Sequence, residues 1–121
     1  MSNMDQIVGT FFAHQIAMKM FHFQTKIYSH HIVVDTYLTK YEQNFDKFME
    51  IAQSDARLKI KEISLKINLS NDKNIDSHLN KILIFLRNIK IENELSLELA
   101  TIRDDMIGEI QRLKYLMNFN Q

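Results

Sequence analysis

The chain has 121 residues, 45% hydrophobic and 25% charged, which is enough for one hydrophobic core and predicts a single domain over 1–121. Its 15 basic and 15 acidic side chains cancel, so net charge gives nucleic-acid binding no support. The absence of cysteine excludes disulfides, thiolate metal sites and cysteine nucleophiles. Because the N-terminus has no cationic leader and no apolar run reaches about 18 residues, we expect a cytoplasmic protein that does not enter a membrane.

Residues that interrupt helices are rare, since the chain has no proline and two glycines, and this favours long helices with few connections. Apolar periodicity predicts four helices, at about 3–25, 29–53, 75–89 and 94–119. Between 57 and 69, apolar and polar residues alternate as in a half-buried strand, so we expect either an extended arm, which a β-strand would explain, or a poor helix. Four amphipathic helices around one core predict an all-α four-helix bundle.

The second predicted helix carries a stripe of metal-ligating side chains: His31, Asp35, Asp46 and Glu50 lie at about 0°, 40°, 60° and 100° around its axis. They form two i,i+4 pairs, and both side chains of a pair can touch one ion. Roughly 16 Å separates Asp35 from Asp46, so one copy of the helix cannot close a single site. Two antiparallel copies, related by a twofold axis near residues 40–41, would bring the two pairs together, which predicts a homodimer or a higher homo-oligomer.

The stretch FHFQTKIYSHHIVVDTYLTKYEQNFDKFME resembles the signature of the first two helices in the Dps family of miniferritins. In that family a His near the end of the first helix precedes a His, an acid four residues on, an Asp eleven further, and a Glu after four more. His22, His31, Asp35, Asp46 and Glu50 stand at these positions, with the first interval about one turn shorter. The resemblance implies a ferritin-like bundle whose five residues bind iron between subunits as a ferroxidase site; Zn or Mn remain alternative metals.

Simpler interpretations compete with this metal site. The acids would then form a solvated helix face with His31 at its border. His30 lies about 100° from His31, so only one of the two can face the acids, and His31 fits better. Glu42 can join the site or form salt bridges across the axis, and His14 is interpreted as a hydrogen-bonded core residue. The alternative function is a catalytically inert helical interaction module that binds a protein partner; an enzyme would be a ferroxidase-type oxidoreductase.

Overall fold

The computed structural model describes residues 3–54 and 59–119, and most of them are helical. The helices are α1 (Asn3–Gln24), α2 (Tyr28–Gln53), α3 (Ile75–Arg87) and α4 (Leu97–Met117). The predicted all-α, four-helix architecture is confirmed, with helix ends within about three residues of those expected. Within the two described ranges there is no β-strand, and no helix is long and apolar enough to cross a membrane.

The first turns of α2 and α3 have no side-chain cap hydrogen bond. Residue Ile27, which has no side-chain oxygen, occupies the N-cap position of α2, and Ser29 lies inside the helix. Asn74 occupies the N-cap of α3, but its side chain accepts the backbone N–H of Asn71 at 2.7 Å and not a helical N–H. The N-terminus of α2 is therefore held by the contacts of its side chains and not by a cap.

A tight turn delays the start of α4 to Leu97. Glu92 and Asn93 have φ angles of 51° and 73°, a left-handed conformation that a helix cannot contain. Ser96 then caps the helix, because its hydroxyl accepts the backbone N–H of Leu99 at 3.3 Å. Glu94 belongs to the turn, because it exchanges backbone hydrogen bonds of 2.7 and 3.2 Å with Ile91, and the helix predicted from residue 94 therefore begins three residues later, at Leu97.

Contacts between side chains define the directions of the helices. The ring of Phe11 in α1 meets Phe48 near the end of α2 and Phe85 near the end of α3, at centroid distances of 5.0 and 5.7 Å. At the other end of the bundle, His30 in the first turn of α2 bonds the backbone oxygen of Met117 in the last turn of α4. Neighbouring helices are thus antiparallel, α1 and α4 run one way, and α2 and α3 run the other way. The connection from α2 to α3 must therefore cross the length of the bundle.

The core lies between the inner faces of the four helices. Apolar side chains at helical spacing fill it, and burying each one fully stabilises the fold by about 1.5–3 kcal/mol. Its largest fully buried members are Phe11, Phe21, Phe48, Met4, Met18, Leu79, Leu86, Met106 and Ile110.

The crossover from α2 to α3 is extended and runs along α1. A Cβ atom added to Gly9 would lie 3.3 Å from the backbone oxygen of Ser64, whereas Asp72 accepts the hydroxyl of Thr25 at the far end of α1. From residue 64 to 72 the chain therefore covers the axial rise between residues 9 and 25, roughly 24 Å, or about 3.0 Å per residue. This fits the extended arm predicted at 57–69, but residues 59–71 pair with no strand in the described ranges, so the β-strand is not confirmed. Residues 57 and 58 lie outside those ranges.

Gly9 on α1 makes room for the crossover, because it is buried against Ile63, Ser64 and Leu65. Because α1 packs against the core on one side and the crossover on the other, its sequence is apolar around much of the helix.

Candidate metal centre

His22 and His31 form a stacked pair across the turn between α1 and α2. Their ring centroids are 4.0 Å apart, and the ring planes are inclined by 14°. Nδ1 of His22 lies 2.8 Å from the backbone oxygen of His31, and Nδ1 of His31 lies 2.7 Å from that of His22. Since a carbonyl oxygen can only accept a hydrogen bond, each Nδ1 carries a proton and donates it. The two rings are thus held reciprocally by the two backbones.

These hydrogen bonds leave the second nitrogen of each ring available. A neutral imidazole with its proton on Nδ1 has a lone pair on Nε2, and neither Nε2 has a hydrogen-bond partner in residues 3–54 and 59–119. Metal-ligating histidines are usually oriented by a bond from their other nitrogen to a backbone carbonyl or a carboxylate. His22 and His31 therefore have the orientation and the protonation expected of two metal ligands.

The three carboxylates predicted to complete the site lie apart from the histidine pair. Asp35, Asp46 and Glu50 are all exposed on α2. In the described part of the chain, no three His, Asp or Glu side chains come together closely enough to hold one ion. The structure therefore brings His22 and His31 together, although nine positions separate them in the sequence, and it brings no carboxylate of α2 into a three-residue cluster with them.

His30 has a different environment from its neighbour His31. It is 6% exposed, and its Nε2 donates to the backbone oxygen of Met117 at 2.8 Å. Its Nδ1 is buried 3.8 Å from Oδ1 of Asp72, a distance too long for a hydrogen bond. His30 thus joins α2 to the end of α4. Of the two adjacent residues His30 and His31, it is His31 that has a ring nitrogen available for a ligand.

Asp72 anchors the end of the crossover beside this histidine. Its carboxylate accepts the hydroxyl of Thr25 and, at 3.0 Å, the backbone N–H of Lys26. Burial opposes ionisation, but these two hydrogen bonds and the interaction with His30 together hold the pKa of Asp72 below its ordinary value. The turn that positions His22 and His31 is therefore tied to the crossover by an ionised side chain.

A second histidine pair lies inside the bundle. The ring of His14 in α1 stacks on His78 of α3, with centroids 5.1 Å apart and planes 11° apart, and Nδ1 of His14 is 2.9 Å from Nε2 of His78. The other ring nitrogen of His14 lies 2.7 Å from the hydroxyl of Tyr37 in α2. The interpretation of His14 as a hydrogen-bonded core residue is confirmed, and this network joins three helices.

The protons of this network can be assigned. Burial, and then the proximity of His78, lowers the pKa of His14, while burial and then Glu109 raise the pKa of Tyr37, so both groups are neutral. Among the described residues His14 is the one acceptor within reach of the Tyr37 hydroxyl, so the hydroxyl donates to Nε2 of His14. Nδ1 of His14 then donates to Nε2 of His78. Because both ring nitrogens of His14 are occupied, this pair is structural.

His78 and Asp72 are the important residues that sequence patterns do not single out. Asp72 lies in the polar run at 70–74 and His78 follows it, and polar side chains in and after such a loop are expected to be solvated. The position of His78 beside the inner stripe of its helix is a weak signal. Its partner is His14, 64 residues away, and this pairing depends on the direction of α3 relative to α1.

An apolar groove lies on the outside of the α1–α2 hairpin. It consists of two adjoining depressions that share Phe12, Gln15 and Glu42. Phe12 and Ile16 are each 39% exposed, and Asp46 lines the end of the groove remote from the histidine pair. Oε1 of Glu42 accepts the side-chain amide of Gln15 at 3.1 Å, so Glu42 is tethered within its own chain.

The chain matches no curated protein and no solved structure. A family of unknown function, DUF5856, does match it over residues 22–117. The match begins at His22 and therefore contains the stacked pair and all three carboxylates of α2. Because it spans well over half of the 121 residues, the chain belongs to the DUF5856 family.

Proposed function

We propose that this protein is a metal-binding bundle of the ferritin-like, Dps-like kind. His22, His31 and Asp35 of one copy would hold iron together with Asp46 and Glu50 of a second copy. The stacked histidines carry the proposal, because their Nδ1 hydrogen bonds orient both rings and leave two Nε2 lone pairs free. Imidazole and carboxylate ligands suit Fe(II), and Zn(II) and Mn(II) are the alternative metals.

The topology supports the ferritin-like assignment. A bundle with α1 and α4 in one direction and α2 and α3 in the other needs one long crossover, and bundles of the ferritin type have one such connection. Here it connects Gln53 to Ile75, and its described part between Ser64 and Asp72 runs beside α1. Simple up-down-up-down bundles, whose neighbouring helices are joined by short loops, have no connection of this kind.

The groove beside α1 supports assembly through the α1–α2 hairpin. The groove spans the level of the proposed twofold axis near residues 40–41, since Leu38 lines one of its two depressions and Glu42 lines both. The histidine pair lies toward one end of this face, and Asp46 lies toward the other. An antiparallel second copy would cover exposed apolar surface and place carboxylates beside each histidine pair, giving two equal sites per dimer.

A ferroxidase-like activity follows from this ligand set. Carboxylates and imidazoles would bind Fe(II) and stabilise the Fe(III) that forms. Peroxide or O₂ would accept the electrons; with peroxide, two Fe(II) ions reduce one molecule to two waters and two protons are consumed. The residues of the proposed site bind and orient the ions, while the oxidant comes from solution.

Metal binding is tested by calorimetry and thermal denaturation with Fe(II) under anaerobic conditions, and with Zn(II) and Mn(II). A ligand that binds only the folded protein raises its melting temperature, so the wild type should be stabilised. The variant Asp46→Asn/Glu50→Gln should lose at least about tenfold in affinity without loss of helix content. The matched control, Asp104→Asn/Asp105→Asn on the exposed side of α4, should bind as the wild type does.

Mixing two defective chains tests whether the site lies between subunits. A His31→Ala chain lacks one imidazole, and an Asp46→Asn/Glu50→Gln chain lacks the carboxylates, so neither homodimer has an intact site. A heterodimer has one intact site, and an equal mixture should recover about one quarter of the wild-type sites. If the mixture recovers none although the wild type binds metal, the inter-subunit site is wrong.

The second candidate, an inert interaction module, is favoured by the exposed apolar groove at Phe12 and Ile16. It becomes the better description if the wild type binds none of the three metals and its melting temperature does not respond to them. In that case the α1–α2 face would bind a protein partner in place of a second copy.

A further inference from the structure

The crossover arm, residues 59–69, is an extended segment whose backbone is unpaired. Within the described ranges its N–H and C=O groups make no backbone hydrogen bond. Ile63 and Leu65 contact Gly9 with one side of the segment but remain 38% and 44% exposed, and Glu62, Ser64 and Lys66 of the other side are also exposed. An extended backbone with free polar groups is a template on which another strand can pair.

We propose that the crossover arms of two copies pair as an antiparallel β-ribbon, with a twofold axis at Ser64. Each Ser64 then lies opposite its symmetry mate, Ile63 lies opposite Leu65 of the partner, and Glu62 lies opposite Lys66 of the partner. The partner is a second copy because the arm is complementary to itself in this register. Two apolar cross-strand pairs and two pairs of opposite charge form at once.

The charges select this register among the alternatives. Side chains alternate across a strand, so the pairing can shift only by two residues at a time if Ile63 and Leu65 are to stay on the side of α1. Each such shift moves the twofold axis by one residue. Displacing the axis to residue 62 opposes Glu62 with Glu62, and displacing it to residue 66 opposes Lys66 with Lys66. With the axis at residue 63 or 65, neither charge has a charged partner. Only the axis at Ser64 pairs Glu62 with Lys66.

The support under each arm is already present in the structure. The side chains of Ile63 and Leu65 rest on α1 at Gly9, where the missing Cβ allows the backbone of Ser64 to approach closely. An isolated two-stranded ribbon is barely stable in water, but each strand here is attached to a helix of its own bundle. This interface uses the side of α1 that faces away from the core and requires no metal, so it does not depend on the proposed function.

A single cysteine tests the axis directly, because the natural chain contains none. Directly opposed residues of antiparallel strands have Cα atoms about 4.5–5.5 Å apart, within reach of a disulfide. We expect Ser64→Cys to form a covalent dimer under mild oxidation. The control Asn68→Cys, also exposed, would place its two sulfurs roughly 26 Å apart in the same ribbon and should not cross-link. Equal cross-linking of both variants, or of neither, would overturn the axis at Ser64.

Charge reversal tests the register and the identity of the partner. Glu62→Lys and Lys66→Glu each oppose like charges twice in a dimer, and each should raise the dimer dissociation constant at least about tenfold in sedimentation experiments. The double variant Glu62→Lys/Lys66→Glu restores both pairs and should return to the wild-type constant. Failure of the double variant to recover, or a monomeric wild type that binds a strand of another protein, would overturn pairing between copies.

Discussion

His14 is a residue whose structural role makes folding sensitive to pH. Both of its ring nitrogens are hydrogen-bonded in the core, to Tyr37 and His78, and the neutral ring fits this environment. Burial and then His78 lower the pKa of His14, and burial and then Lys81 lower the pKa of His78. In the unfolded chain both return to about 6.5. Below that pH the unfolded state binds more protons, so the free energy of unfolding falls as the pH is lowered.

We therefore expect acid destabilisation that begins near pH 6.5, with a slope of up to about 1.4 kcal/mol per pH unit for each of the two histidines. Urea denaturation between pH 8 and pH 5, with a chelator present, measures it. In His78→Gln the amide oxygen can still accept from Nδ1 of His14, so stability at pH 8 should be kept and the slope should decrease. Lys81→Gln removes the charge that lowers the pKa of His78 and should give an intermediate slope. An unchanged slope in His78→Gln would contradict this assignment.

Local spacing predicts which residues share a helix face, but it does not predict the core network. The positions of His31, Asp35, Asp46 and Glu50 on one face of α2 follow from helical geometry alone, whereas the metal site that they would form between two chains stays a prediction. The position of His22 near His31 was predictable because only a short turn separates the end of α1 from the start of α2. The pairing of His14 with His78 depends instead on how α3 packs against α1, and the spacing of residues along one helix does not contain that information.

At the scale of single elements, the two glycines lie in helices with different surroundings. A Cβ at Gly9 would meet the backbone of Ser64 at 3.3 Å, whereas one at Gly108 would meet nothing within 4 Å. Alanine favours a helix over glycine by about 1 kcal/mol. Gly108→Ala should therefore raise the free energy of unfolding by about 0.5–1 kcal/mol. Gly9→Ala should raise it by less, because the crossover arm must shift; urea denaturation of the two variants compares them.

A larger side chain should detach the arm. Gly9→Leu would fill the space that Ser64 occupies, and trypsin should then cleave the arm faster after Lys59, Lys61 and Lys66. Gly108→Leu, with open space around it, is the matched control and should digest as the wild type does. If Gly9→Leu leaves the cleavage rate unchanged, the contact between α1 and the crossover does not hold the arm in place.

Elements with a regular period were predictable to within a few residues, and their interruptions were less so. Apolar spacing located all four helices, because a helix that buries one face must repeat at about 3.6 residues. The late start of α4 came from the turn in which Ile91 and Glu94 exchange backbone hydrogen bonds around Glu92 and Asn93, whose left-handed backbone has no strong sequence signal apart from the asparagine. The alternation at 57–69 indicated an extended chain, but pairing depends on a partner that lies elsewhere in space.

At the scale of the whole molecule, the direction of α3 decides which surfaces remain open. Because α3 is parallel to α2, the chain returns along α1 and covers the side of that helix where Gly9 lies. The groove at Phe12 and Ile16 remains exposed beside it. One helix thus borders both proposed contact surfaces, the α1–α2 groove and the crossover arm, and each would be centred on its own twofold axis.

Two twofold contacts with different axes do not close at a dimer, so the metal-loaded wild type should assemble beyond two copies of the 14.4 kDa chain. Asp46→Asn/Glu50→Gln should leave a dimer joined by the arms. Glu62→Lys should leave a dimer that requires metal, and dissociates when a chelator removes it. The combination of all three substitutions should be a monomer at micromolar concentration, as measured by light scattering after size exclusion. In the combined variant the crossover arm has lost its complementary charges and the α1–α2 contact has lost its metal ligands. If this variant still associates, a surface other than these two joins the copies.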